Sequence, residues 1–124
     1  MLVYEYAVIR FVPRVERGEF INIGLLLFCK RKKTLRGAYF LNREKLACFA
    51  TEVDFFILEK HIQSFIAIAD ADAEASPIAE FDAAERFRWL AAAKSSCLQV
   101  SPTHCGLTAD VDQTFKQLFE ELVL

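Results

Sequence analysis

Residues 2–41, LVYEYAVIRFVPRVERGEFINIGLLLFCKRKKTLRGAYFL, decide the fold. Residues 2–12 are rich in Val, Ile, Tyr and Phe and stop at Pro13, the composition and ending of a strand. Residues 13–18 (PRVERG) read as a connection with Gly18 as its turn point. Residues 19–30 (EFINIGLLLFCK) predict a second strand. Period-two alternation puts Ile21, Ile23, Leu25, Leu27 and Cys29 on one face. Phe20, Asn22, Gly24, Leu26 and Phe28 then share the other. Both faces are mostly apolar, so the strand should be central and covered on both sides. Lys30, Arg31, Lys32 and Lys33 read as a solvated hairpin loop, and residues 34–41 (TLRGAYFL) return as a third strand. Short connections make these three strands an antiparallel meander.

The remainder reads mainly as helices. Asn42 is positioned to cap a short helix through Phe49. Thr51-x-x-Asp54 has the form of a capping box with Asp in place of Glu. Phe55, Leu58, Ile62, Phe65, Ile66 and Ala69 then fall on one face of an amphipathic helix. Residues 70–78 (DADAEASPI) form an acidic loop of small residues. Asp82-x-x-Glu85 opens a third helix carrying Phe87, Leu90 and Ala91. Residues 95–101 (SSCLQVS) predict a fourth strand and Pro102 to Gly106 a loop. Thr108 or Asp110 caps a last helix with Val111, Phe115, Leu118, Phe119 and Leu122 on one face. The expectation is an α+β single domain over residues 1–124: a mostly antiparallel sheet, three meander strands plus one later strand, packed with amphipathic helices.

Bulk properties narrow the class. A chain of 124 residues fits one domain. Hydrophobic residues make up 54% and mean hydropathy is +0.23, so some apolar surface is expected at an interface with a protein partner or a second copy. No run approaches the roughly 18–20 apolar residues of a membrane span. Glu5 lies within the first apolar stretch and no basic leader precedes it, unlike a signal peptide. Cys29, Cys48, Cys97 and Cys105 show no CxxC spacing, which reads as reduced thiols in a cytoplasmic protein. Residues 1–50 hold ten Lys/Arg and four Asp/Glu, a net +6; residues 51–124 hold five and thirteen, a net −8. Basic residues scatter over turns and strands, so mutual attraction of the halves explains the split better than a nucleic-acid face.

The candidate functional residues concentrate in two blocks. Glu85 to Leu107, ERFRWLAAAKSSCLQVSPTHCGL, sets Arg86, Arg88, Ser95, Ser96, Gln99, Ser101 and His104 among apolar positions. In the first block Arg10 interrupts an apolar strand on the face of Tyr6, Val8 and Val12. A charge there needs a partner, either Glu5, Glu19 or an anionic ligand. Arg10, Arg14, Arg86 and His104 together would suit a phosphate or carboxylate. A Ser–His nucleophile is disfavoured, because the chain has no GxSxG elbow and Ser101 with His104 is only a spacing. Zinc held by Cys97, His104 and Cys105 with Cys29 or Cys48 is disfavoured too, since no close ligand pair preorganises it. No phosphate-binding glycine loop is present, and the aromatic residues read as core, so no cofactor is expected.

The blocks YEYAVIRFVPRVERGEFINIGLLLFC (4–29) and ERFRWL…SSCLQVSPTHCGL (85–107) resemble the DUF3037 family, small bacterial proteins of uncharacterised function. The resemblance covers nearly the whole chain. It matches Arg10, Pro13, Arg14, Glu19, Phe20, Asn22, Gly24, Arg86, Phe87, Ser96, Gln99, Ser101, Pro102, His104 and Gly106. Where the family often has Pro-Arg-Ser before the fourth strand, this chain has Ala93-Lys94-Ser95. Family members are often encoded beside HipA-like kinases. The resemblance therefore implies an accessory or antitoxin-like partner of such a kinase: a non-enzymatic interaction or regulatory module. Its candidate binding residues are Arg10, Arg14, Glu19, Asn22, Arg86, Ser96, Gln99, Ser101 and His104. The alternative is a small enzyme or anion-binding protein for phosphate-containing or nucleic-acid substrates, with His104 as acid/base beside the arginines.

Overall fold

A computed structural model describes residues 1–49, 54–71, 81–92 and 98–124; the side chains of Val15 and Phe49 are not described. The chain runs β1 (Leu2–Phe11), a single 3₁₀ turn (Val15–Arg17), β2 (Ile21–Cys29), β3 (Thr34–Tyr39), α1 (Arg43–Phe49), α2 (Phe55–Ala69), α3 (Ala83–Ala92), β4 (Leu98–Val100), β5 (His104–Thr108) and α4 (Val111–Leu122). The sheet order is β3-β2-β1-β4, with β5 also on β1 and every pairing antiparallel. The meander is as expected, and so is the α+β class. Among the described residues no helix is long and apolar enough to cross a membrane.

The connections follow from local chemistry. Gly18 turns the chain into β2 at φ +68°. Lys33, at φ +54°, closes the β2–β3 hairpin with its amide donating to Lys30 O at 3.1 Å. Asn42, Asp82 and Asp110 cap α1, α3 and α4: their carboxylate or amide oxygens accept from the Lys45, Glu85 and Gln113 amides. The capping box is corrected. Asp54 is itself the N-cap of α2 and accepts from the Phe56 and Ile57 amides, so it cannot be the fourth residue of a box; Thr51 lies outside the described residues. The acidic stretch after Ala71 also lies outside them.

Two cores lie on opposite faces of the sheet. Ala7, Ile9, Phe11, Leu26 and Phe28 meet α2 and α3 through Leu58, Ile62, Phe87 and Leu90. Val8, Leu25, Leu27 and Cys29 meet α4 through Val111 and Phe115. Simple alternation along β2 fails at one point. Ile9 pairs with Gly24 but Arg10 pairs with Asn22, so Ile23 is the extra residue of a bulge. The bulge resets the phase. Ile21 and Ile23 join Leu26 and Phe28, while Asn22 leaves them and turns to α4, its Nδ2 donating to Leu122 O at 3.0 Å. The expected sharing of one face by Asn22 and Gly24 is therefore overturned.

The expected loop from Pro102 to Gly106 is corrected as well: residues 104–108 are strand β5. β4 pairs with Ile9–Phe11 and β5 with Leu2–Tyr6, so both continue along one edge of β1 around a break at residues 101–103. The loop reading followed Pro102 and Gly106, but Pro102 sits in the break. Gly106 sits opposite Tyr4, where an added Cβ would collide with the Tyr4 ring.

Candidate functional site

Arg10 pairs with Asn22 on one side and Gln99 on the other, so these three sequence-predicted residues form one row across β2, β1 and β4. Residues directly opposite in antiparallel strands point to the same face, here that of Val8 and α4. The Arg10 guanidinium carbon lies 4.0 Å from the centroid of the Phe20 ring. Arg10 Nε and Asn22 Oδ1 are buried without a hydrogen-bond partner. Neither carboxylate offered to Arg10 by the sequence reaches it. Glu5 is on the opposite face of β1 by alternation, and Glu19 is ion-paired with Arg17. Arg14 is exposed, three residues past the end of β1.

Ser101 is 3% exposed and bonded on both sides. Its amide donates to Val8 O at 2.8 Å, its Oγ accepts from the Val8 amide at 2.8 Å, and its hydroxyl donates to Pro102 O at 3.0 Å. The side chain replaces the main-chain acceptor that β1 would otherwise lose at the break between β4 and β5. His104 opens β5 opposite Tyr6, the two rings 5.3 Å apart and tilted by 34°, and it is exposed. Along β1 it stands four residues from the Arg10 row, roughly 13 Å at the usual strand rise. Ser96 lies outside the described residues, as do Ala93, Lys94 and Ser95.

Arg86 stands apart from all of these. It belongs to α3, on the other face of the sheet, and lines a cleft with Lys32, Lys33, Arg36 and Asp70 at the β2–β3 hairpin. The hairpin is seven residues along β2 from Asn22, on the order of 20 Å. Arg86 Nη1 donates to Phe81 O at 2.7 Å, and its Nε is buried without a partner. Burial pushes the Asp70 carboxyl above the ordinary aspartate value. Arg10, Arg14, Arg86 and His104 thus do not share one pocket. The hairpin lysines were read only as a solvated loop; their run of four basic residues was the available signal. Among the described residues no group of His, Cys, Asp and Glu could hold a metal ion.

The remaining notable surface is apolar. Val3 on β1 and Leu107 on β5 are directly paired and 58% and 62% exposed. By alternation they share a face with Glu5, Ala7 and Ile9, at the end that α2 and α3 leave open, with the exposed Cys105, the direct pair of Glu5, on the same side. β5 contains no Lys, Arg, Asp, Glu or Pro. Among the described residues it pairs only with β1.

These elements define a small α+β protein built on one antiparallel sheet. The chain belongs to the DUF3037 family: the model of this family, described as a protein of unknown function, matches residues 6–123. Neither the curated proteins nor the solved structures yield a match to this chain.

Proposed function

We propose that the protein is an interaction module that takes an extended segment of a partner protein along the open edge of β5. The observation that carries this reading is the exposed Val3–Leu107 pair beside an edge strand without charge or proline. Edge strands are commonly protected by charges, prolines or bulges; one lacking them is a template for strand addition. Main-chain hydrogen bonds would supply affinity, and Leu107, Cys105 and Val3, with Glu5 among them, a seat for alternate side chains. A HipA-like kinase is the partner suggested by the family resemblance, which makes a regulatory role the reading carried forward. The protein is read as non-enzymatic and the interaction as cytoplasmic.

Capture from the native host should return a stoichiometric partner with the wild-type protein and with Leu124→Lys, whose site is equally exposed (62%) at the opposite end of the sheet. Leu107→Lys should lose that partner. In the complex, the amides of residues 104–108 that point away from β1 should gain protection from hydrogen exchange. A partner that Leu107→Lys retains, with β5 exchanging as fast as before, would sink the strand-addition reading.

A further inference from the structure

We propose that the cleft between the β2–β3 hairpin, α3 and the start of α4 binds a small phosphate-bearing molecule, held by Lys32, Lys33 and Arg86. The cleft measures about 490 Å³ and is lined by Lys32, Lys33, Thr34, Arg36, Arg86, Asp70 and Asp112, among others. That volume falls within the roughly 300–1,000 Å³ typical of small-molecule sites.

The charges are not equivalent. Arg36 and Asp112 are ion-paired, and the Arg36 guanidinium is stacked 4.7 Å from the Phe115 ring centroid, so this pair neutralises itself and forms a wall. Among the described residues lining the cleft, Asp70 is the carboxylate left to oppose Lys32, Lys33 and Arg86, and none of these three has an ion pair. Asp70 is also the carboxylate that opposes an anion in this cleft. The Phe81 carbonyl fixes one arm of the Arg86 fork, leaving other N–H groups to a ligand. The buried, unpartnered Arg86 Nε shows that the guanidinium is not fully satisfied by the protein. Val111 and Asp112 bring the first turn of α4 to the same cleft. Two ammonium groups and a guanidinium on one cleft suit a phosphate dianion better than a singly charged carboxylate.

The test is titration of the ¹⁵N-labelled protein with inorganic phosphate and, separately, phenyl phosphate. Sodium chloride at equal ionic strength and sodium acetate serve as controls. Saturable shifts are expected for the amides of residues 32–36, Val111 and Asp112 and for the Arg86 Nε–H. The double variant Lys32→Gln/Lys33→Asn should weaken binding about tenfold or more with an unchanged circular dichroism spectrum, since charge-assisted hydrogen bonds are lost. Asn is chosen at 33 because it tolerates the left-handed backbone there. Arg86→Gln should do the same if it folds; the lysine variant decides the matter if it does not. Saturation by phenyl phosphate and not by the free ion would identify an ester. Shifts that never saturate, that chloride or acetate reproduces, or that survive the lysine double variant would overturn the proposal.

Discussion

Ser101 shows how one side chain can be read for function and turn out to hold the sheet together. The Val8 amide is in the interior, and Ser101 Oγ is its acceptor. Ser101→Ala keeps the volume nearly constant but strands that amide. An unsatisfied buried donor costs about 1–3 kcal/mol. Urea unfolding of the variant should show a stability lower by that amount, read as a lowered midpoint with an unchanged slope. A midpoint equal to wild type would mean that water or another group takes the amide, and Ser101 would return to the candidate binding residues. Arg10 is the contrasting case. Phe20 covers its guanidinium and no carboxylate meets it, and its Nε stays buried without a hydrogen-bond partner.

At the scale of elements, the ends of the helices were legible because capping is local chemistry. Asn42, Asp82 and Asp110 are each within three residues of the amides they accept from, so spacing located the first two and narrowed the third to Thr108 or Asp110. Asp54 was seen but assigned the wrong position, since Thr51 offered an equally well-spaced start. The other end of α2 carries strain. Ala71 closes it at φ +61°, its amide donating to Ile68 O at 3.1 Å. An L-residue with a Cβ is disfavoured there by about 1–2 kcal/mol, and glycine is not. Ala71→Gly should therefore raise stability by about 1 kcal/mol, read as an increase in Tm. A lower Tm would show that the added freedom of the unfolded chain outweighs the strain. Strand β5 was missed because Pro102 and Gly106 are turn signals in isolation, and a five-residue edge strand has little periodicity to set against them.

At the scale of the whole molecule, one sheet carries two cores, and neighbouring residues of β2 belong to different ones. Leu25 is fully buried against α4 and Leu26 fully buried against α2 and α3. Leu25→Ala and Leu26→Ala should each cost about 2–5 kcal/mol, the range for buried large-to-small changes. Because β2 joins both layers, each variant should still unfold in one transition. Fluorescence of Trp89, the sole tryptophan and a residue of α3, should melt together with far-ultraviolet circular dichroism in both. Separation of the two curves in Leu25→Ala alone would show that the α4 layer melts independently.

The sequence by itself determined the α+β class, the meander, the helix starts at 42 and 82 and the apolar helix faces, and it narrowed the last cap to Thr108 or Asp110, because each rests on side chains within a few positions of one another. It also marked Arg10, Asn22 and Gln99, which the sheet joins into one row. Only the tertiary structure decided which of the marked residues meet. The bulge at Ile23 turned Asn22 toward α4, the pairing of β4 and β5 along one edge made Ser101 a backbone acceptor, and α3 carried Arg86 to the hairpin lysines on the far face. Register and crossing depend on partners distant in the chain, and alternation within one strand holds no record of them.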